Sequence, residues 1–183
     1  DPDVPCATNY VVEDSREGWC KALYYTVDAA FTGKSVNLDM SLIRRRGAPL
    51  STFDGTCSGY TPLVNLCRSV HALIRRRAGS KLRVIDCADI TNLVGVAAVM
   101  GNIRRTALNN QARWDLDFLN AKVNISEEQS FRYTSNNSIV ILNGEDERFV
   151  IENAKELADR VVNLGEPGFA NVYRCRLDND PKV

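Results

Sequence analysis

The fold class is indicated by residues 15–42, SREGWCKALYYTVDAAFTGKSVNLDMSL. Within this stretch the spacing at which apolar residues recur changes once. Apolar residues recur at helical spacing as far as Phe31, and after Gly33 apolar and polar residues alternate as far as Leu42. The first pattern is typical of an amphipathic helix and the second of a strand with one buried face. Ser15 offers an N-cap oxygen and Gly33 a C-terminal glycine. The stretch therefore predicts a helix followed by a strand.

The same alternation of periods continues on both sides of this stretch. Helices are predicted from Thr61-Pro62 to Gly79, from about Asp89 to Leu108, and from Asn143-Gly144 to Gly165. Further strands are predicted at residues 10–12, 82–87, 114–125 (with a bulge), 131–133 and 139–142 (a hairpin), and 171–177. The order is β-α-β-α-β-α-β-β-β-α-β. It predicts an α/β protein with an α+β tendency, in which residues 1–183 form a single globular domain with a mixed sheet and flanking helices.

Composition excludes several classes of protein. With 44% hydrophobic and 25% charged residues the chain can bury a core, so it is not a disordered protein. Its formal net charge of zero removes the simplest argument for nucleic-acid binding. No stretch approaches the roughly 20 apolar residues of a membrane span, and none is predicted.

The six cysteines predict disulfide bracing in an oxidising compartment. They form no Cys-x-x-Cys pair, and the chain has one histidine, so the spacing does not suit a zinc site. An even, scattered set favours disulfides in a secreted or other extracytoplasmic protein, with Cys6 and Cys175 as a candidate pair because domain termini often lie close together. The alternative is a set of core thiols in a cytosolic protein. The cysteines are Cys6, Cys20, Cys57, Cys67, Cys87 and Cys175.

Two N-glycosylation sequons agree with a secreted location. They begin at Asn124 and at Asn136, and the second lies at the tip of the predicted hairpin. They are expected to carry glycans if the chain is exported.

Arginines form three clusters, each at the end of a predicted element. Arginine gives planar, bidentate contacts to carboxylates and phosphates, so gathering the clusters at one edge of the sheet would make an anion-binding surface. The alternative is that cations at helix C-termini offset the helix dipole. The clusters are Arg44, Arg45 and Arg46; Arg75, Arg76 and Arg77; and Arg104 and Arg105.

Four aspartates are the candidate catalytic or metal-binding residues. Asp86 and Asp89 flank Cys87, and Asp86 is predicted to end a strand at the sheet edge where ligands of open α/β sheets gather. Asp115 and Asp117 lie on one face of a predicted strand, roughly 7 Å apart, where carboxylates can share a metal ion or divide acid and base work. The alternatives are an N-cap and a turn for the first pair and a solvated strand face for the second.

The segment Gly55-Thr56-Cys57-Ser58-Gly59 has the outline of a nucleophile elbow, but a nucleophile needs a base. The single histidine, His71, lies about ten residues inside the following helix, roughly 15 Å along its axis, so a Cys-His or Ser-His hydrolase is not expected.

Three functions stay open at this point. The first is a secreted, disulfide-stabilised domain, effector- or toxin-like, that binds an anionic partner such as nucleic acid, a sulfated glycan or an acidic protein. The second is a small secreted hydrolase or transferase that uses the aspartates, with or without a divalent metal, on a nucleotide or sugar. The third is a coat or assembly subunit. No cofactor other than such a metal is evident from the sequence.

Overall fold

The computed structural model describes residues 6–49, 55–99 and 107–179. Its strands are β1 (Cys6–Val11), β2 (Ser35–Asp39), β3 (Leu108–Ala112), β4 (Ser135–Ile141) and β5 (Gly168–Asn171). Its helices are α1 (Arg16–Thr32), α2 (Thr61–Arg76), α3 (Val84–Val99), α4 (Leu116–Leu119), α5 (Gly144–Glu152), α6 (Ala154–Leu164) and α7 (Val172–Asp178), with a 3-10 helix at Glu127–Thr134. The predicted α/β class is confirmed.

The strands form two parallel sheets. β1 pairs with β2, and β3, β4 and β5 form a three-stranded sheet in that order. The antiparallel half predicted from consecutive strands is therefore wrong for the described residues, where the one antiparallel pairing is an isolated bridge between Pro49 and Thr56.

Helix α1 and strand β2 form as the opening stretch predicts. The Ser15 hydroxyl accepts a hydrogen bond from the Gly18 N–H at 3.0 Å, which satisfies one free donor of the first turn. Gly33 ends α1 in the left-handed conformation, with φ of 70°. Strand β2 follows two residues later and pairs in parallel with β1. Local capping signals thus define this βαβ unit.

The strand predicted at residues 82–87 is wrong, because the chain there enters helix α3. The Asp86 carboxylate, in the first turn, accepts a hydrogen bond from the backbone N–H of Arg83 at 2.9 Å. A carboxylate that reaches back to the start of a helix stabilises the helical conformation. Asp86 consequently lies at a helix N-terminus and not at the end of a strand.

The strands predicted at 114–125 and 131–133 are also wrong. Asp115 caps α4 by accepting a hydrogen bond from the Phe118 N–H at 2.8 Å, and residues 131–133 belong to the 3-10 helix. The hairpin is replaced by β4, which pairs in parallel with β3 and β5. The last predicted strand, 171–177, is mostly α7, and the helix predicted from 143 to 165 divides into α5 and α6 at Asn153.

Three clusters of buried hydrophobic residues occur in the described part of the chain. The largest joins α1, α2 and α3 to the ends of β1 and β2, and its members include the fully buried Val12, Leu63 and Val70. The smaller contacts lie on one face of the three-stranded sheet, where Phe118 packs on Ala112 and Leu157 on Ile139. The helices therefore cover one face of that sheet.

The predicted disulfide bracing is wrong for the described cysteines. Cys20, Cys57, Cys67, Cys87 and Cys175 are all free thiols, which excludes the Cys6–Cys175 pair as well. Cys67 is a member of the core, while Cys20, Cys87 and Cys175 are exposed on three different helices, so packing and not cross-linking holds the fold. No helix among the described residues is long and apolar enough to cross a membrane.

Candidate functional site

Asp86 lies at the centre of a cluster of two arginines and a second aspartate. Arg83 binds it with two nitrogens, Nη2 to Oδ1 at 3.0 Å and Nε to Oδ2 at 3.2 Å, and Arg77 Nε lies 3.2 Å from Oδ2. Arg83 also donates from Nη1 to Asp117 Oδ2 at 3.0 Å. The hydrogen bonds from Arg83 lower the pKa of the buried Asp86 carboxyl against the opposing effect of burial. The geometry thus favours the ionised form of Asp86 and uses its carboxylate to hold Arg77 and Arg83.

Asp89 makes a separate ion pair with Arg132. Arg132 Nε and Nη2 donate to the two carboxylate oxygens at 2.7 Å each, and Nη1 donates to the Ala121 carbonyl at 2.9 Å. Both charged side chains are almost buried. Arg132 lies in the 3-10 helix, so the pair ties α3 to the segment that leads into β4.

The four predicted aspartates therefore do not converge on one centre. Asp86 and Asp117 meet through Arg83, Asp89 binds Arg132, and Asp115 caps α4. No cluster of three or more histidine, cysteine, aspartate or glutamate side chains suited to a metal ion occurs in the part of the chain that the structure describes. The arrangement gives no support to a divalent metal site.

The arginine clusters are also separated. Gly59, just before α2, packs against Arg46, whereas Arg75, Arg76 and Arg77 lie at the far end of this 16-residue helix, about 24 Å away. Arg44 forms an ion pair with Asp14, whose hydrogen bond raises the pKa of the guanidinium. Arg104 and Arg105 lie outside the described residues. The first two clusters do not form one anion-binding surface.

His71 does not serve as a base for the Gly55–Gly59 segment. Cys57 accepts a hydrogen bond from the Gly59 N–H at 3.3 Å, and His71 lies well inside α2. Burial lowers the pKa of His71. The Gly55–Gly59 segment, which resembles a nucleophile elbow, therefore has no histidine to act as its base.

A polar network between α3 and the three-stranded sheet was missed by the sequence analysis. Asn110 Nδ2 donates to Asn92 Oδ1 at 3.2 Å and to Ser135 Oγ at 2.9 Å. Lys122 Nζ donates to Glu166 Oε1 at 2.6 Å, and the same oxygen accepts the Asn137 N–H at 3.1 Å. The signal in the sequence is the unusual polarity of LNNQA (108–112) and SNNS (135–138), since strands of parallel sheets are normally apolar.

A cavity of about 350 Å³ opens outside the carboxyl ends of β3 and β4. Its lining includes the Arg113–Asp146 ion pair, at 2.6 Å from Nη2 to Oδ1, and the edge-on pair of Trp114 and Phe149, with ring centroids 4.3 Å apart. Parallel sheets often bind ligands at this edge. Here, however, the bound Asp146 carboxylate already has its hydrogen bonds from Arg113 and from the Leu142 N–H.

Comparison with known proteins gives a consistent similarity. A model of the B12-dependent ribonucleotide reductase insertion domain matches residues 2–74. The adenosylcobalamin-dependent ribonucleoside-triphosphate reductase of Lactobacillus gasseri is 36% identical over 179 residues, which are 91% of this chain and 23% of that protein. The corresponding reductase of Lactobacillus acidophilus is 35% identical over 182 residues, which are 96% of this chain and 24% of that protein.

A solved structure agrees with the sequence comparison. The crystal structure of a B-12 dependent (class II) ribonucleotide reductase superposes with a TM-score of 0.77 and 31% identity, over 90% of this chain and 23% of that one. The chain spans about a quarter of the length of the proteins that it matches.

These similarities contradict the functions expected from the sequence. The matched proteins are reductases, and not anion-binding effectors or toxins, hydrolases or transferases, or coat subunits. The expected secretion, with its disulfides and its glycans at Asn124 and Asn136, is wrong on the same evidence, together with the free thiols. Asn136 in fact lies inside β4 and not at a hairpin tip. Charge clusters and scattered cysteines were therefore misleading guides to function.

Proposed function

We propose that this chain is a segment of an adenosylcobalamin-dependent ribonucleoside-triphosphate reductase. The observation that carries the proposal is the superposition on a class II ribonucleotide reductase over nine-tenths of the chain, at 31% identity. The sequence match to the Lactobacillus enzymes covers the same extent, so the similarity is not confined to the insertion-domain residues 2–74.

Within such an enzyme this segment acts as a framework. The aspartates that resemble catalytic groups are held in ion pairs or caps, which fix α3 and α4 against the sheet. The larger core runs without interruption from α1 and α2, in the insertion-domain match, into α3 beyond it. We accordingly propose that residues 1–183 fold as one unit.

Adenosylcobalamin does not fit the described residues of this segment. Two cavities among the described residues measure about 350 and 410 Å³, at the lower end of the roughly 300–1,000 Å³ of pockets for drug-sized ligands, and a corrinoid is larger than such ligands. We therefore assign cofactor binding to the rest of the longer protein and assign no chemical step to this segment.

The test is the activity of the longer protein that contains this segment. The purified protein is incubated with a ribonucleoside triphosphate and a reductant, with and without adenosylcobalamin, and the reduced nucleotide is measured by chromatography. The proposal expects product only when adenosylcobalamin is present. Absence of product from correctly folded protein, or equal product without the cobalamin, would refute the proposal.

A further inference from the structure

We propose that the cavity of about 350 Å³ beside helix α5 binds an alkylammonium group, the charged end of an organic amine. The inference goes beyond the proposed function and does not depend on it. The amine is either a small free molecule or a lysine side chain from the rest of the longer protein, because both present the same chemical group. The lining of the cavity includes Arg113, Trp114, Ile139, Glu145, Asp146 and Phe149.

The cavity lies on the side of the sheet that the helices cover. Ile139 of β4 belongs to a buried cluster, and Trp114, just after β3, packs against that cluster. Phe149 of α5 in turn contacts Trp114 edge-on. The cavity is therefore bounded by α5, the end of β3 and the apolar side of β4, at the edge of a parallel sheet where ligands often bind.

One carboxylate of this cavity has no bonded cation. Helix α5 begins with three acids, Glu145, Asp146 and Glu147, which favour the positive end of the helix. Arg113 Nη2 lies 2.6 Å from Asp146 Oδ1, and Arg174 Nε lies 2.7 Å from the Oε1 atom of the third acid. Among the described residues no ion pair to Glu145 occurs, and its side chain is exposed. Glu145 is therefore available to a ligand.

The charges that line the cavity favour a cationic ligand. Two carboxylates face one guanidinium there, which leaves an excess of one negative charge. Arg113 donates through Nε and Nη2 to Asp146 Oδ1, so this pair is already neutral. The hydrogen bonds to Asp146, and to a smaller extent the charge of Glu145, raise the pKa of the Arg113 guanidinium, so Glu145 acts on the same region. A cation would restore neutrality, whereas a phosphate or carboxylate would be repelled.

The aromatic rings favour an organic cation over a metal ion. Trp114 and Phe149 both line the cavity, with ring centroids 4.3 Å apart. Rings of this kind attract an ammonium group that lies over their faces, and Ile139 offers an apolar surface for its alkyl chain. Calcium and magnesium ions need about six or more oxygen ligands. No group of three or more metal-binding side chains occurs in the described ranges.

The volume of the cavity restricts the length of the amine. About 350 Å³ lies near the lower end of the roughly 300–1,000 Å³ of pockets for drug-sized ligands. The cavity therefore suits a short primary amine, and n-butylammonium is a suitable probe.

The test is a binding titration that is followed at Trp114 in the complete protein. The tryptophans are replaced by fluorotryptophan, and the fluorine NMR resonance of Trp114 is identified by its absence from the variant Trp114→Phe. Chloride salts of n-butylammonium and of sodium, sodium butyrate and neutral n-butanol are added in separate titrations. We expect a saturable shift of this resonance with n-butylammonium alone, because only this probe combines an alkyl chain with a positive charge.

A substitution at the free carboxylate tests its role in binding. The variant Glu145→Gln should bind n-butylammonium about tenfold or more weakly, the usual effect of losing a hydrogen bond between charged groups. The matched control is Glu152→Gln, since this glutamate belongs to the same helix, is 64% exposed and lies outside the lining of the cavity. The control variant should bind the probe as tightly as the unmodified protein does.

Three results of the titrations would overturn the proposal. An equal shift with n-butanol shows an apolar cavity that does not select a charge. An equal shift with sodium chloride shows a general effect of salt. Equal affinity of the Glu145→Gln variant and the unmodified protein shows that this carboxylate does not bind the ammonium group.

A further measurement distinguishes the two sources of the amine. If no probe shifts the Trp114 resonance, the lysines of the complete protein are acetylated, which removes their charge. A shift on acetylation that is absent from the Glu145→Gln variant identifies a lysine side chain as the occupant and supports the proposal. Absence of any shift, in the titrations and on acetylation, refutes it.

Discussion

Arg132 binds Asp89 through both carboxylate oxygens, at 2.7 Å each, across 43 residues of sequence. The side chains retain 14% and 10% of their exposure, and Arg132 also bonds to the Ala121 carbonyl. Charges withdrawn from water to this extent are stable only while both partners remain. The pair therefore fixes the position of the 3-10 helix on α3, immediately before β4 begins.

Replacing Arg132 with alanine should destabilise the chain strongly. Asp89 would remain almost buried without its partner, a change that costs about 3 kcal/mol or more. The measurement is the free energy of unfolding from urea denaturation. Arg148→Ala is the matched control, because the Arg148–Glu152 pair is exposed and contributes less than about 1 kcal/mol. Equal effects of the two substitutions would contradict the structural role of Arg132.

The substitution Asp86→Asn should lower the free energy of unfolding at neutral pH. In acid the same substitution should have a much smaller effect. Since Arg83 lowers the pKa of Asp86 in the folded chain, the carboxylate stabilises the fold above the ordinary pKa of about 3.9, and this stabilisation is lost as the pH falls through the lowered value. At pH 7 the loss should be about 2 kcal/mol, the usual size for hydrogen bonds to a charged group.

Unfolding free energies of the wild-type chain and the variant, measured from pH 7 to pH 3, test this expectation. The difference between them should shrink below about pH 4. A difference that stays constant over this range contradicts it. Asp117→Asn is the control, since this aspartate is largely exposed and its bond to Arg83 should contribute less than about 1 kcal/mol.

The parts of the fold that the sequence predicts correctly are those with local causes. Ser15 and Gly33 delimit α1, and Asn143 begins α5 by accepting hydrogen bonds from the N–H groups of Glu145 and Asp146. Each of these hydrogen bonds joins residues at most four positions apart. A short stretch of sequence is therefore enough to predict it.

The parts that were mispredicted depend on distant partners. Residues 82–87 have the apolar character of a strand, but Asp86 contacts Arg77 and Arg83, and Arg83 also reaches Asp117, 34 residues away. Strand β3 was not predicted because it contains the polar Asn110. The side chain of Asn110 donates hydrogen bonds to Asn92 and Ser135, and no local pattern in the sequence reveals these partners. Among the candidate aspartates, Asp86, Asp89 and Asp117 form ion pairs with arginines, and Asp115 caps α4. The partners of Asp89 and Asp117 lie more than 30 residues away, so no local pattern reveals them.

Gly18→Ala should destabilise the chain although alanine is the better helix former. A Cβ at this position would lie 2.3 Å from the Glu13 carbonyl oxygen, so the backbone before α1 must move. Overpacking of this kind costs about 1–3 kcal/mol and outweighs a helix-propensity gain of about 1 kcal/mol. Gly144→Ala is the control, since its nearest contact would be the Tyr173 hydroxyl at 3.6 Å. Thermal denaturation should show a lower Tm for Gly18→Ala alone.

Four of the five free thiols in the described part of the chain should divide into two classes of reactivity. Cys20, Cys87 and Cys175 are exposed and should react rapidly with a disulfide reagent in the folded chain. Cys67 lies in the core, where burial raises the pKa of its thiol, so both the supply of thiolate and the access of the reagent are reduced. Its reaction should require unfolding and should accelerate about 100-fold or more in denaturant.

The effect of a reducing agent on thermal stability also tests whether the described cysteines are free thiols. Removing a native disulfide from a small domain typically costs about 2–5 kcal/mol, which is enough to lower the Tm by many degrees. Because the described cysteines are free, the Tm of the chain should be the same with and without dithiothreitol. A Tm that falls by several degrees on reduction would show that a disulfide stabilises the chain and that the assignment of free thiols is wrong.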